Sequence, residues 1–193
     1  EEENFKYGSM GAENDLGVPY PIFHVLPRVF GDLMPGPGGY RAFGIPWEEG
    51  RELPVGFSKK TMGFPRVTQT CAICHAASYR TSPDAAPVIV PTGPAHTTNA
   101  MAFLDFLEAA ANDPRWSGDG MMREIEMNFD LPIDEKLAYR FAIIPIAKKR
   151  ILEQAADFAW MHDHERPEWG PGRDGPFNLT KFNLLGLPDD GTV

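Results

Sequence analysis

Apolar positions fall into two regimes along the chain. Beyond residue 98 they recur with helical spacing, whereas before residue 60 no period persists. Thr98 or Asn99 can cap a helix that carries Met101, Leu104, Phe106, Leu107 and Ala110, and Asn112-Asp113-Pro114 ends it. Residues 119–129 predict a short helix. A longer helical stretch starts near Asp134, a suitable N-cap, and runs through Leu137, Phe141 and Ile144. Pro145 removes a backbone donor there and should kink or restart the helix. The following segment presents Ile144, Ala147, Ile151, Ala155 and Phe158 on one face.

The amino-terminal part reads differently. Breakers such as Met34-Pro35-Gly36-Pro37-Gly38-Gly39 predict an extended, loop-rich arm over residues 1–60, packed on the core and pinned by Tyr20, Phe23, Phe30, Tyr40, Phe43 and Trp47. Residues 66–78 predict a helix bearing both cysteines. Residues 79–97 hold four prolines and one strand-like run, Val88-Ile89-Val90. The tail from Arg166 is again rich in Pro, Gly and aromatics. With no repeat and no low-complexity linker, residues 61–193 form the main domain, and with the arm they make one structural domain of mainly α class with few short strands.

Composition narrows the partners more than the fold. At 193 residues the chain can bury a sizeable core, and 42% hydrophobic with 23% charged residues excludes wholesale disorder. No run of 18 apolar residues exists, so no membrane span is expected. A net charge of −9 argues against nucleic acid, whose phosphates need clustered Lys and Arg. A positively charged protein or a small molecule fits better. The start at Glu1 fits a processed product or a segment of something longer.

Two cysteines are too few for a disulfide scaffold, and their placement carries the chemistry. Cys71-Ala72-Ile73-Cys74-His75 is C-x-x-C-H, the attachment motif for c-type haem. On one helical turn, two thiols three residues apart reach the two vinyl groups of the porphyrin, and each forms a thioether. The adjacent His75 then supplies an imidazole nitrogen to iron as proximal ligand. A redox C-x-x-C wants a βαβ context, and zinc wants two further ligands, for which no second C-x-x-C or H-x-x-x-H exists. One covalent haem c is therefore expected, and its attachment outside the bacterial cytoplasm makes the protein periplasmic or secreted.

The sixth iron position separates electron transfer, with Met or His, from catalysis at an open site. The histidine candidates are His24, His96, His162 and His164. The methionine candidates are Met62, Met101, Met121, Met122, Met127 and Met161.

Further segments extend the picture. These are Phe158-Ala159-Trp160, Trp169-Gly170-Pro171-Gly172-Arg173 and Phe177-Asn178, with Pro54-Val55-Gly56-Phe57 before the haem motif and Val90-Pro91-Thr92-Gly93-Pro94-Ala95-His96 after it. Over roughly residues 50–185 the chain resembles the rubber-oxygenase branch of the dihaem cytochrome c peroxidase superfamily. The resemblance implies a cytochrome c-like haem domain with long wrapping loops. It also implies an open distal side lined by Phe158, Trp160 and Phe177, and a peroxidase or oxygenase type of activity on a small-molecule oxidant. The chain departs from the family in two ways: Ala159 separates Phe158 from Trp160, and only one C-x-x-C-H is present. A redox partner protein or a second haem-bearing chain is therefore expected. The competing reading is an electron-transfer cytochrome c with a Met or His sixth ligand, possible as a subunit of a larger multihaem assembly.

Overall fold

The computed structural model describes residues 1–91, 93, 96–162, 170–173, 181–182 and 185–187. In chain order the elements are α1 (Glu2–Tyr7), α2 (Glu13–Leu16), β1 (Val18–Pro19), α3 (Tyr20–Val29), β2 (Phe57–Met62), β3 (Phe64–Gln69), α4 (Ala72–His75), β4 (Ala76–Tyr79), β5 (Val88–Pro91), α5 (Ala100–Asn112), α6 (Gly118–Asn128), α7 (Ile133–Ala138) and α8 (Ile144–Asp157). Short 3-10 turns at Gly31–Leu33, Gly39–Phe43 and Ala159–His162 add to these, and a π-turn at Tyr139–Ile143 joins α7 to α8. About 51% is helix and 12% strand, so the mainly α class holds.

Asn99 caps α5 as expected, its side chain accepting from the Ala102 N–H at 3.1 Å. The expected break at Pro145 takes a specific form. Proline has no N–H to return to the Phe141 carbonyl, and the helical ladder widens to a π-turn over Tyr139–Ile143 before α8 begins. Asp134 is not the cap of α7. The helix starts at Ile133 behind Pro132, and Asp134 and Glu135 sit in the first turn, where negative charge favours the helix dipole.

Two expectations need correction. Residues 66–78 are not one helix: β3 runs through Gln69, α4 lasts four residues, and β4 follows at once. The β-branched run Val67-Thr68 belongs to a six-residue ladder with β2, from Phe57↔Gln69 to Met62↔Phe64, and that pairing outweighs the helical spacing of the cysteines. β1 adds to the other edge of β3, giving the order β1-β3-β2, all antiparallel. Nor is 1–60 an extended arm. It folds as three α-helices and two 3-10 turns, and Ile22, Val25, Leu26, Phe30, Tyr40 and Phe43 are buried core. Pro21 is tolerated because it falls in the first turn of α3, where its missing donor has no partner to lose.

The core is built from aromatics packed on one another. Phe103 of α5 meets Tyr40, Phe43 and Phe57 edge-on at centroid distances of 6.0, 5.7 and 6.0 Å. Phe23 stacks on Tyr40 at 4.4 Å, and the Tyr40 hydroxyl donates to the Phe23 carbonyl at 2.6 Å. The long, fully buried Tyr40 is thereby satisfied at its only polar atom. α5 packs on α8 and α3 on α6, which closes the helical side.

One ion cluster fastens the turn between α5 and α6 to the end of α3. Arg115 donates to both carboxylate oxygens of Asp32 at 2.8 and 3.0 Å, to both of Asp113 at 2.9 and 2.7 Å, and to the Val29 carbonyl at 2.8 Å. The guanidinium holds the Asp113 carboxyl down at about 2 and lowers that of Asp32. A folded value below the unfolded one contributes stability above the unfolded pKa, and that contribution is lost as pH falls through the folded value. The stability gap between the parent protein and Arg115→Met should therefore be full at neutral pH and narrow as pH falls from about 4 towards 2. Urea unfolding at stepped pH measures it, and a gap that stays constant or widens in acid would contradict the assignment.

Candidate functional site

Cys71, Cys74 and His75 lie on and beside α4, a single turn wedged between two strands. A helix this short does not stand alone, so its neighbours impose its geometry. On one side is Gly56, with φ +90°. A Cβ there would lie 2.6 Å from both the backbone nitrogen and the Cα of Ile73, so the residue must be glycine on two counts. The Gly56 N–H donates to the Lys6 carbonyl at 3.0 Å, and its own carbonyl accepts from Thr70 N–H at 2.8 Å, directly before Cys71. Val55, Ala72 and Ala76 form a small buried cluster with Phe5, Tyr7 and Ile89 around it.

Behind that contact lies a charged cluster that the sequence reading missed. Lys6 is 6% exposed and bonds Glu2 at 2.6 Å and Glu48 at 2.7 Å, and Glu48 also accepts from the Tyr7 hydroxyl at 2.7 Å. Burial works against the charge on Lys6, but the two carboxylates outweigh it and hold its pKa raised. The Lys6 hydrogen bond in turn lowers the pKa of Glu48. Glu48 lies 42 residues from Lys6, and no short-range pattern announces that contact.

On the other side of α4 stands the β4–β5 hairpin, paired Ala76↔Pro91 through Tyr79↔Val88. Beyond the end of that ladder, Gly93 comes beside His75. The Gly93 N–H donates to the His75 carbonyl at 3.1 Å, and the Gly93 carbonyl lies 3.2 Å from His75 Nδ1. A carbonyl only accepts, so Nδ1 carries the proton and Nε2 presents its lone pair. His75 and Cys71 are exposed and Cys74 is half-buried. Fixed by a backbone carbonyl at one nitrogen and open at the other, the imidazole has the form that metal-ligating histidines take. The exposed thiol of Cys71 and the half-buried thiol of Cys74 on the same turn complete the donor set for covalent haem, and these residues fit the group.

Strands flank the cysteines, in place of the helix expected over residues 66–78. A redox dithiol on a βαβ unit nevertheless finds no support. β3 and β4 belong to different sheets, and one helical turn is no crossover between parallel strands. Among the described residues no group of three or more His, Cys, Asp or Glu could hold a metal ion, whereas structural zinc takes four ligands.

The segment after Gly93 leads to the other motif. Gly172, with φ +73°, donates its N–H to the Thr98 carbonyl at 3.1 Å, and a Cβ on it would lie 2.8 Å from the His96 carbonyl. The second glycine of Gly170-Pro171-Gly172-Arg173 is thus a close-approach residue, and the turn docks a few residues downstream of the strand that orients His75. His96 itself is buried.

Of the expected distal residues, Phe158 closes α8 and lines a small cavity with Met101, Asp105, Ile151, Met161 and His162. Met161 is buried, and His162 Nε2 lies 3.0 Å from Asp105. Burial pushes the Asp105 carboxyl up, Glu108 adds to this, and His162 opposes it. Trp160, on the following 3-10 turn, meets Phe182 edge-on at 4.8 Å. Phe177, Trp169, Asn178 and His164 lie outside the described residues.

The remaining ligand candidates scatter. Met121 and Met122 are wholly buried in the core, Met127 is exposed and Met62 sits at the end of β2. His24 lies edge-on to Phe129 at 5.2 Å, and burial lowers its pKa. Met10, which the sequence reading passed over, is the methionine nearest the motif, with its Sδ 3.5 Å from Cys71 Sγ. No protein-family model, curated protein or solved structure matches the chain.

The Gly56 contact gives a direct test. Gly56→Ala should shift α4, cost about 2–4 kcal/mol in unfolding experiments, and lower the yield of any covalently loaded protein. The control Gly50→Ala also replaces a positive-φ glycine, but nothing lies within 4 Å of its Cβ position, so it should cost less and leave loading unchanged. Equal effects at both sites would show that the approach to Ile73 is unimportant.

Proposed function

We propose that this chain is a periplasmic or secreted c-type haem redox protein, its haem domain cytochrome c-like, with an open distal site of the peroxidase or oxygenase type. The observation that carries the haem reading is the His75–Gly93 pair beside the exposed Cys71 and half-buried Cys74 thiols. Cys71 and Cys74 would hold one haem c through thioethers, and His75 would bind iron through Nε2 with the Gly93 carbonyl fixing the ring. Bound haem supplies one-electron chemistry at iron and, where one face is open, reactivity towards dioxygen or peroxide. Phe158, Trp160 and Phe177 would exclude water from that face and leave room for a diatomic ligand, since none has a lone pair to offer iron. A redox partner protein or second haem-bearing chain would deliver electrons.

A specific observation favours a second reading. Met161 shares the Phe158 cavity, and a thioether there would suit a sixth ligand and plain electron transfer.

Two measurements decide. The intact mass should exceed 21.4 kDa by one haem, and replacing Cys71 or Cys74 should reduce the yield of loaded protein. An unshifted mass after expression with the haem-attachment machinery would end the haem reading. The reduced protein should then bind carbon monoxide quickly and completely at neutral pH. Failure to bind, with binding recovered in Met161→Ala, would replace the oxygenase reading with electron transfer.

A further inference from the structure

The solvent side of α7, the π-turn and α8 is apolar to an extent unusual for an exposed helix. Ile133 is 72% exposed, Leu137 50%, Phe141 72% and Ile146 54%. They fall in two adjacent rows at a spacing of four residues. One row is Ile133, Leu137, Phe141, Pro145 and Lys149. The other is Asp134, Ala138, Ala142, Ile146 and Arg150. All ten residues are exposed. A row spaced by four drifts about 40° per step round a regular α-helix. The wider turn at Tyr139–Ile143 takes up part of that drift and keeps the rows straight. The opposite face, with Tyr139, Ile144, Ala147 and Ile151, is already committed to the core.

We propose that this face is the dimer interface of the protein, packed against the same face of a second copy about a two-fold axis with the helices antiparallel. The charges select this occupant. Acidic groups, Asp130, Asp134 and Glu135, stand at the beginning of the face, and basic groups, Lys149 and Arg150, at its end. A two-fold axis near Phe141 and Ala142 sets each acidic end against the other copy's basic end. It also sets Ile146 against the small Ala138 and Leu137 against Pro145, so large side chains of one copy meet small ones of the other. An anionic membrane would meet the acidic end unfavourably, and so would an acidic protein. The existing ion pair of Lys149 is weak, reaching Glu153 at 3.4 Å with both side chains largely exposed. The inference is independent of the haem reading.

Sedimentation equilibrium of the full chain as purified, across a hundredfold range of concentration, tests it. The expected result is a species of twice the 21.4 kDa chain mass, plus any bound group. Phe141→Glu should shift the protein to monomer while its circular dichroism stays unchanged. Asp134→Lys and Lys149→Asp should each weaken self-association by about tenfold or more, because each places like charges together twice in the dimer. An equimolar mixture of those two variants should recover the dimer as a heterodimer, since both cross-contacts are then complementary. A monomer at every concentration overturns the proposal. So does a dimer indifferent to Phe141→Glu, or a mixture that fails to reassociate.

Discussion

A four-residue helix cannot fix the direction of its own side chains, and α4 with its N-cap carries Cys71, Cys74 and His75. Its geometry is imposed by two backbone contacts. Gly56 presses against Ile73 with no room for a Cβ, and Gly93, beyond the end of β5, bonds His75 at both its carbonyl and its ring. Both contacts are made by main chain, which has fewer ways to relax than side chains do. The Gly56 contact also ties the motif to α1 through the Lys6 carbonyl. The site therefore inherits its order from elements that are remote in sequence, and its donor groups stay accessible while their supports are buried.

The aromatic residues serve the fold rather than the motif. Phe23, Tyr40, Phe43, Phe57, Phe103 and Phe106 satisfy one another by stacked and edge-on contacts. A core of this kind stabilises the chain by its own burial, at about 1.5–3 kcal/mol for each large side chain removed from water. Residues 20–57 deliver enough hydrophobic surface to α5 to form a core of their own. Loops rich in Pro and Gly need not be loosely packed when they carry an aromatic every few residues.

What the sequence revealed follows the range of each interaction. Local signals held. The Asn99 cap, the stop at Asn112-Asp113, the Val88–Val90 strand and the disturbance at Pro145 depend on neighbours within a turn or two. Long-range pairing did not show. Val67-Thr68 reads equally as helix or strand until β2 is placed beside it, and the apparent arm became helical once α3 had α6 to pack on. At the site, the C-x-x-C-H spacing was plain, but the Gly93 carbonyl, the Lys6–Glu48 cluster and the approach of Met10 to Cys71 join residues 18, 42 and 61 apart. Phe158, at the end of α8, lines a small cavity, and Leu137 and Phe141, which share the helical period, turned out to face solvent. Periodicity identifies an apolar face but not whether this chain or another covers it.

Pro145 links the two sides of that helix. Without the wider turn that accompanies it, everything after residue 143 would rotate by roughly a residue's worth, about 100°, relative to α7. Ile144, Ala147 and Ile151 would swing out of the core, and Phe158 would leave the cavity it shares with Met161. The π-turn is the arrangement in which α8 can bury its own apolar row against α5 while the exposed rows of α7 continue unbroken into α8. The backbone irregularity is thus not a defect tolerated for the sake of a proline. It is the register that lets one helix meet the core on one face, hold Phe158 at its end, and still present an ordered apolar surface on the other.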